Sequence, residues 1–193
     1  MEIREFIELV ATEPSKEVTR IVQVPPPELL AEAKLRGGML LTEFVARTAV
    51  EGRAKTILYR HILGGPASAE TIAGREHELG AFPKDLRELL AQVNGIHLWA
   101  RCDTGRSQSG IAPVEEWERA RVKMYGAESP QDLLDDRYIA LSYDEDGAAY
   151  VVLDSWDGAY YLMDAAGPDT SAPLGRNVRE LLASLWNRRT APR

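Results

Sequence analysis

Cysteine appears once in these 193 residues, as Cys102. One thiol closes no internal disulfide, and without a CxxC pair the usual zinc and dithiol spacings are missing. Arg101 and Arg106 lie near Cys102 in sequence, and basic neighbours favour a thiolate. The plainer reading is a small residue at a strand end. Histidine is scarce too. His61, His77 and His97 form neither HxxxH nor HExxH. His97, next but one to Trp99 in an expected strand, reads as a packed or edge histidine rather than a base. No glycine-rich phosphate loop occurs, and no serine sits in a GxSxG turn. The expectation is a protein without catalytic residues, cofactor or metal.

Long hydrophobic runs are absent as well. No stretch approaches the roughly 18–20 apolar residues that cross a bilayer. Near the start, Glu2, Glu5 and Glu8 stand where a secretion signal needs a basic flank and an unbroken apolar stretch. A cytoplasmic protein with no membrane partner is expected. Positive charge is missing from one stretch in particular. Residues 126–170 hold 11 acidic side chains against one cation, Arg137, in a chain of net charge −7. Residues 1–125 carry −1 and residues 171–193 carry +4. The negative field is therefore local. It disfavours nucleic acid and favours a basic partner, unless it serves only solubility.

What is present suffices for a core. Hydrophobic residues make up 45% and charged residues 27%, which excludes a disordered chain. Residues 2–11 read as a short helix, with Ile3, Phe6, Ile7 and Val10 at helical spacing. Residues 17–24 read as a strand ended by Pro25, Pro26 and Pro27. Helix is expected again over 28–35 and over 39–49, where Leu41, Phe44, Val45 and Thr48 share a face. Residues 56–63 fit helix or strand. Gly64, Gly65, Pro66, Ala67 and Ser68 look like a linker. Two units follow from this: a mainly helical N-terminal extension, 1–65, and a domain, 66–193.

The second unit has the sharper pattern. Leu86, Leu89, Leu90 and Val93 mark a helix, with Pro83 near its start and Asn94-Gly95 at its end. Strands are expected over 96–101, 111–114, 138–143, 149–156 and 159–164, and short helices over 115–123 and 177–187. Asp144-Glu145-Asp146-Gly147 and Asp157-Gly158 are hairpin signals, because glycine accepts positive φ. Strand following strand through short turns gives a mostly antiparallel sheet flanked by helices, an α+β fold.

Four pieces in order carry a resemblance. The first runs Glu78-Leu79-Gly80-Ala81-Phe82-Pro83 through Leu89-Leu90 to Asn94-Gly95. The second is Ile111-Ala112-Pro113-Val114-Glu115-Glu116-Trp117. The third is Tyr138-Ile139-Ala140-Leu141 to Asp146-Gly147 and on to Asp154. The fourth is the last helix with Val178, Leu181, Leu182 and Leu185. Together they resemble the SUKH superfamily over roughly residues 70–189, with Phe82 replacing the usual leucine before the proline. Residues 1–65 have no counterpart in it. The resemblance implies an α+β sheet packed on helices and a binding module with no catalytic centre. Many bacterial members are thought to be immunity proteins that neutralise a toxin. Fungal members act as regulatory hubs in cell-wall synthesis, and a scaffold role is the alternative here.

The residues themselves put a partner-binding face on the acidic hairpins: Asp144, Glu145, Asp146, Asp154, Trp156, Asp157 and Asp164. Asp144, Glu145 and Asp146 lack calcium-loop spacing and read as a solvated turn. Alternation sets Tyr150, Val152, Asp154 and Trp156 on one face of their strand. It sets Tyr160, Leu162 and Asp164 on one face of the next. Each face mixes aromatics, which anchor interfaces, with carboxylates, which steer encounter. The alternative is that Tyr150, Tyr160 and Trp156 pack beneath helices as core. The expected partner is a cognate protein toxin or another protein, and the sequence leaves the oligomeric state open.

Overall fold

A computed structural model describes residues 1–12, 18–23, 40–50, 53–101, 109–128, 130, 134–142, 149–164, 167–169 and 172–188. Side chains are described for these residues except 12, 18–23, 40–50, 53–59, 101 and 168. Cys102, Asp144, Glu145, Asp146, the proline run and the expected helix over 28–35 fall outside the described residues.

Residues 40–50 and 53–63 shape the first sheet. They form strands β2 (Leu40–Val50) and β3 (Arg53–Leu63), paired antiparallel at every position from Leu40↔Leu63 to Val50↔Arg53. The helix expected over 39–49 is therefore corrected to strand. Its apolar spacing fits either state, and such runs are ambiguous by periodicity alone. Thr42, Phe44, Val45, Thr48 and Val50 favour the extended form, and eleven paired positions with β3 decide it. Ahead of them come helix α1 (Ile3–Thr12) and strand β1 (Val18–Gln23), which pairs with β2. The described part of 1–65 is thus one helix and three strands, not mainly helical.

The chain continues through α2 (Ala69–Leu79), α3 (Lys84–Leu90), β4 (Ile96–Arg101), β5 (Ser109–Ile111), a 3₁₀ turn (Val114–Glu116) and β6 (Glu118–Arg119). Then follow α4 (Ala120–Tyr125), β7 (Tyr138–Ala140), β8 (Tyr150–Asp154), β9 (Tyr160–Asp164), β10 (Gly167–Pro168) and α5 (Val178–Asn187). Among the described residues the strands make two antiparallel sheets, β1-β2-β3-β4-β5 and β10-β9-β8-β7-β6. They meet where the Ala112 N–H donates to the Leu141 carbonyl at 2.6 Å. The fold is α+β, as expected.

The ladder crosses residue 65, because β3 pairs with β4 from Leu63↔Ile96 to Tyr59↔Arg101. Between Arg60 and Ile62 the register slips, so Leu98 and Trp99 oppose the single residue His61. This β-bulge puts Trp99 at φ 58, a conformation side chains other than glycine rarely adopt. Its N–H donates to His61 Nδ1 at 3.1 Å, and the two rings meet edge to face at 4.6 Å. Trp99 then packs on Trp186 of α5 at 5.8 Å, and Trp186 meets Phe6 of α1 at 6.5 Å. The bulge so turns an indole into the core, where it ties the first sheet to the two terminal helices.

Local sequence explains the helix ends. The Ser68 hydroxyl accepts the Thr71 N–H and caps α2. Asn177 caps α5 through the Glu180 N–H, and Glu180 reaches back to the Arg176 N–H at 2.9 Å. Asp85 also accepts the Val178 N–H at 2.7 Å, joining α3 to α5. Asn94 does more than end a helix: its side-chain oxygen accepts the Val114 N–H at 2.7 Å, and its amide donates to Glu115. At Gly110 a Cβ would fall 1.8 Å from the Ile96 carbonyl oxygen, so β5 approaches β4 only with glycine there.

Leu86, Leu89, Leu90, Ile96, Leu98, Ile139, Leu153, Tyr160, Leu181 and Leu185 fill the main core. A second cluster lies on the other face of the second sheet: Ala120, Tyr138, Ala140, Val152, Ala159, Tyr161 and Met163. The Tyr160 hydroxyl is fully buried and has no hydrogen-bond partner among the described residues. Burial, and then the charge of Asp85, push its pKa far above the ordinary value of 10.0. An unsatisfied buried hydroxyl opposes folding by about 1–3 kcal/mol.

Two stability experiments follow. Phe6→Ala is expected to lose about 3 kcal/mol in chemical denaturation, as a fully buried ring would. A loss under about 0.5 kcal/mol would show that α1 is not part of this core. Tyr160→Phe is expected to be neutral or stabilising by about 1 kcal/mol near pH 7. With its folded pKa raised, Tyr160 contributes a stability loss that begins as pH rises past 10.0, where the unfolded chain ionises first. The phenylalanine variant should lose part of that alkaline slope. Destabilisation of more than about 1 kcal/mol at pH 7 would reveal a partner for the hydroxyl.

Candidate functional site

The turn between β8 and β9 is built from carboxylates facing backbone. Gly158, at φ 73, donates its N–H to the Asp154 carbonyl at 2.9 Å, and the Asp154 N–H donates to the Ala159 carbonyl. Asp154 is 3% exposed. One oxygen accepts the Trp156 N–H at 2.9 Å, and the other lies 3.2 Å from Arg137 Nε. Asp157 accepts the Ala159 N–H at 2.8 Å and the Tyr161 hydroxyl at 2.9 Å. That hydroxyl bond, with burial, raises the Tyr161 pKa. The Ser155 N–H donates to the Arg137 carbonyl at 2.9 Å, lashing the turn to the strand beside it.

This frame leaves Trp156 outside. It is 73% exposed, more than any other described large hydrophobic residue. Its indole is nonetheless held. The Arg137 guanidinium lies 4.9 Å from the Trp156 ring centroid and 4.7 Å from that of Tyr138. A cation–π contact at an exposed site contributes about 0.5–1 kcal/mol. The arginine is itself fixed by its ion pair with buried Asp154 and by a hydrogen bond to the Tyr138 hydroxyl.

The structure separates the residues that the sequence grouped. Asp154 is buried, so its carboxylate serves the turn and offers no surface charge, which corrects that expectation. Trp156, Asp157 and Asp164 are exposed. Asp164 stands at the other end of the β8–β9 hairpin, beyond the Tyr150↔Met163 pair, while the turn lies beyond Leu153↔Tyr160. A strand of five residues separates those ends by roughly 13–17 Å. The two faces mixing aromatics with carboxylates do not merge either. The register sends Tyr160 into the main core and Tyr150 toward the second cluster, on opposite sides of the sheet. Arg137 was visible in the sequence only as the one cation of the acidic stretch. Its position between two rings was not.

Among the described residues, no group of three or more His, Cys, Asp or Glu side chains is placed to hold a metal. No described helix is long and apolar enough to cross a membrane. The model of the SMI1 / KNR4 family (SUKH-1) matches residues 66–184. The chain belongs to that family. A comparison with curated proteins found no match. Members of the SUKH-1 family act through protein–protein contacts. In this member the matched span takes in the helices α2 and α3, the Asn94-Gly95 corner and the whole β8–β9 turn, but not α1 or the strands β1 to β3.

The turn's carboxylates should separate on mutation. Asp154→Ala leaves the Trp156 N–H without its acceptor and Arg137 without its counter-ion, and is expected to cost about 2–3 kcal/mol. Asp157→Ala, at the exposed end, is expected to cost about 1 kcal/mol. Urea denaturation of both variants checks the order. Equal losses would mean that Asp154 does not organise the turn.

Proposed function

We propose that this protein is a non-catalytic binding module of the immunity type, which occludes a basic protein toxin through the turn carrying Trp156 and Asp157. One observation carries the reading: a large aromatic side chain stands in solvent on a preorganised turn inside the most acidic stretch of the chain. Tryptophan is enriched among interface hot spots, because its area is large and two torsions fix it. Preorganisation lowers the ordering cost at binding. Asp164, with Asp144, Glu145 and Asp146, contributes the wider negative field that speeds association with a cationic surface.

Membership of a family that works through protein contacts supports the reading. Paired baits test it, one wild type and one Trp156→Ala, with capture compared at low and high salt. The expected result is one cationic polypeptide held by the wild type, released by salt, and bound about 30-fold more weakly by the variant, a loss of about 2 kcal/mol. Several proteins held equally by both baits at every salt concentration would favour a regulatory scaffold and sink the toxin reading.

A further inference from the structure

We infer that the Trp156–Asp157 tip receives an arginine side chain from the basic partner, its guanidinium on the Asp157 carboxylate and its plane or stem against the indole. This rests on the reading of a cationic partner and adds the chemistry and the place of the contact.

The two carboxylates of the turn differ in what they have left to offer. Asp154 is buried and its charge is answered by Arg137 at 3.2 Å. Asp157 is exposed and accepts only from neutral donors, the Ala159 N–H and the Tyr161 hydroxyl. Among the described residues no cation lies within ion-pair distance of it. Its carboxylate is therefore the one in the turn without an ion pair among the described residues, although the charge of Arg176 is felt at the Tyr161 hydroxyl it accepts from. A carboxylate has about four acceptor positions, and these two bonds leave roughly two. That matches the paired donors of a guanidinium better than the single point charge of an ammonium.

The neighbouring residue supplies the second half. Arg137 lies over the Trp156 ring at 4.9 Å, and most of the indole stays in solvent. Because Asp154 already balances Arg137, the resident arginine does not cancel the pull of Asp157 on a second one. Planar guanidinium groups stack on aromatic surfaces, whereas ammonium groups do so less readily. An exposed indole beside a carboxylate that has no ion pair among the described residues is thus a fitting contact for arginine from a basic segment of a partner protein.

A nine-residue arginine peptide serves as the probe, titrated at low salt into ¹⁵N-labelled full-length protein. The Trp156 indole N–H signal should move, and those of Trp99, Trp117 and Trp186 should not. Asp157→Asn should weaken binding at least 5-fold, and Asp164→Asn, at the far end of the hairpin, less than 2-fold. A nine-lysine peptide should bind more weakly than the arginine peptide. Asparagine keeps an acceptor for the Ala159 N–H, and a thermal melt of the variant verifies that the fold survives. Equal weakening by the two asparagine variants would show a diffuse field and overturn the contact. So would a loss on Trp156→Ala with none on Asp157→Asn, since the tip would then take an apolar group. No binding of either peptide at low salt would remove the cationic partner itself, a failure distinct from those two.

Discussion

The pairing of Leu153 with Tyr160 governs what the second sheet can do. Side chains alternate along a strand, so one register assigns every residue of β8 and β9 to a side. It sends Val151, Leu153, Tyr160 and Leu162 toward the helices and Val152, Tyr161 and Met163 toward the second cluster. Both faces are consequently used for packing. What remains is the end of the hairpin. There the ladder stops at Asp154, the chain reverses through Gly158, and Trp156 stands largely in solvent. An exposed tryptophan alone would signify little, because apolar atoms make up much of any protein surface. Here it is held by an arginine that a buried carboxylate holds in turn.

That chain of support explains why charge is unevenly distributed in function as well as in sequence. The acidic stretch looks uniform when counted. In the fold Asp154 is consumed by backbone and by Arg137, and Asp136 lies 3.0 Å from Arg121 Nε, a buried guanidinium. Asp157 is partly used by the turn yet still faces water. Asp154 and Asp136 have cations beside them, whereas Asp157 braces the turn through neutral donors alone. Those left to steer a partner are exposed, and their effect weakens with salt over about 8–10 Å.

The α+β class, the helix over Leu86 to Leu90, the hairpin over residues 150–164 and the last helix were legible because local pattern and final structure agree there. Pro83 and Asn94-Gly95 punctuate one helix, and Asp157-Gly158 marks one turn. Residues 40–50 were misread because Leu41, Phe44, Val45 and Thr48 satisfy helical spacing, while partners in β1 and β3 supply what local pattern cannot. The site was legible in part. Trp156 and Asp157 could be singled out, but alternation within one strand does not give the register against the next. Without the register, Asp154 looked like surface and Tyr160 like a possible contact. Arg137 escaped notice as a functional residue because its partners, Asp154 and Trp156, lie 17 and 19 positions away.

The first 63 residues join the rest through physical contacts that composition did not suggest. Strand β3 lends its edge to β4, and at the bulge the Trp99 N–H is taken up by His61 opposite. Trp99 adopts an unfavourable backbone conformation, a strain of about 1–3 kcal/mol that surrounding packing must offset. The offset comes from Trp186 and, through it, from Phe6. A strand from before the family-matched span and a helix from the start of the chain thus stabilise a residue inside that span. The Gly64-Gly65 stretch that looks like a linker is itself bonded into the fold. The Gly64 N–H donates to the Gly95 carbonyl, and the Asn94 N–H donates to the Gly65 carbonyl. At Gly64 a Cβ would sit 1.9 Å from the Asn94 carbonyl oxygen. Gly64 is there because two backbones touch, and that contact binds the N-terminal strands to the Asn94-Gly95 corner of the family-matched region.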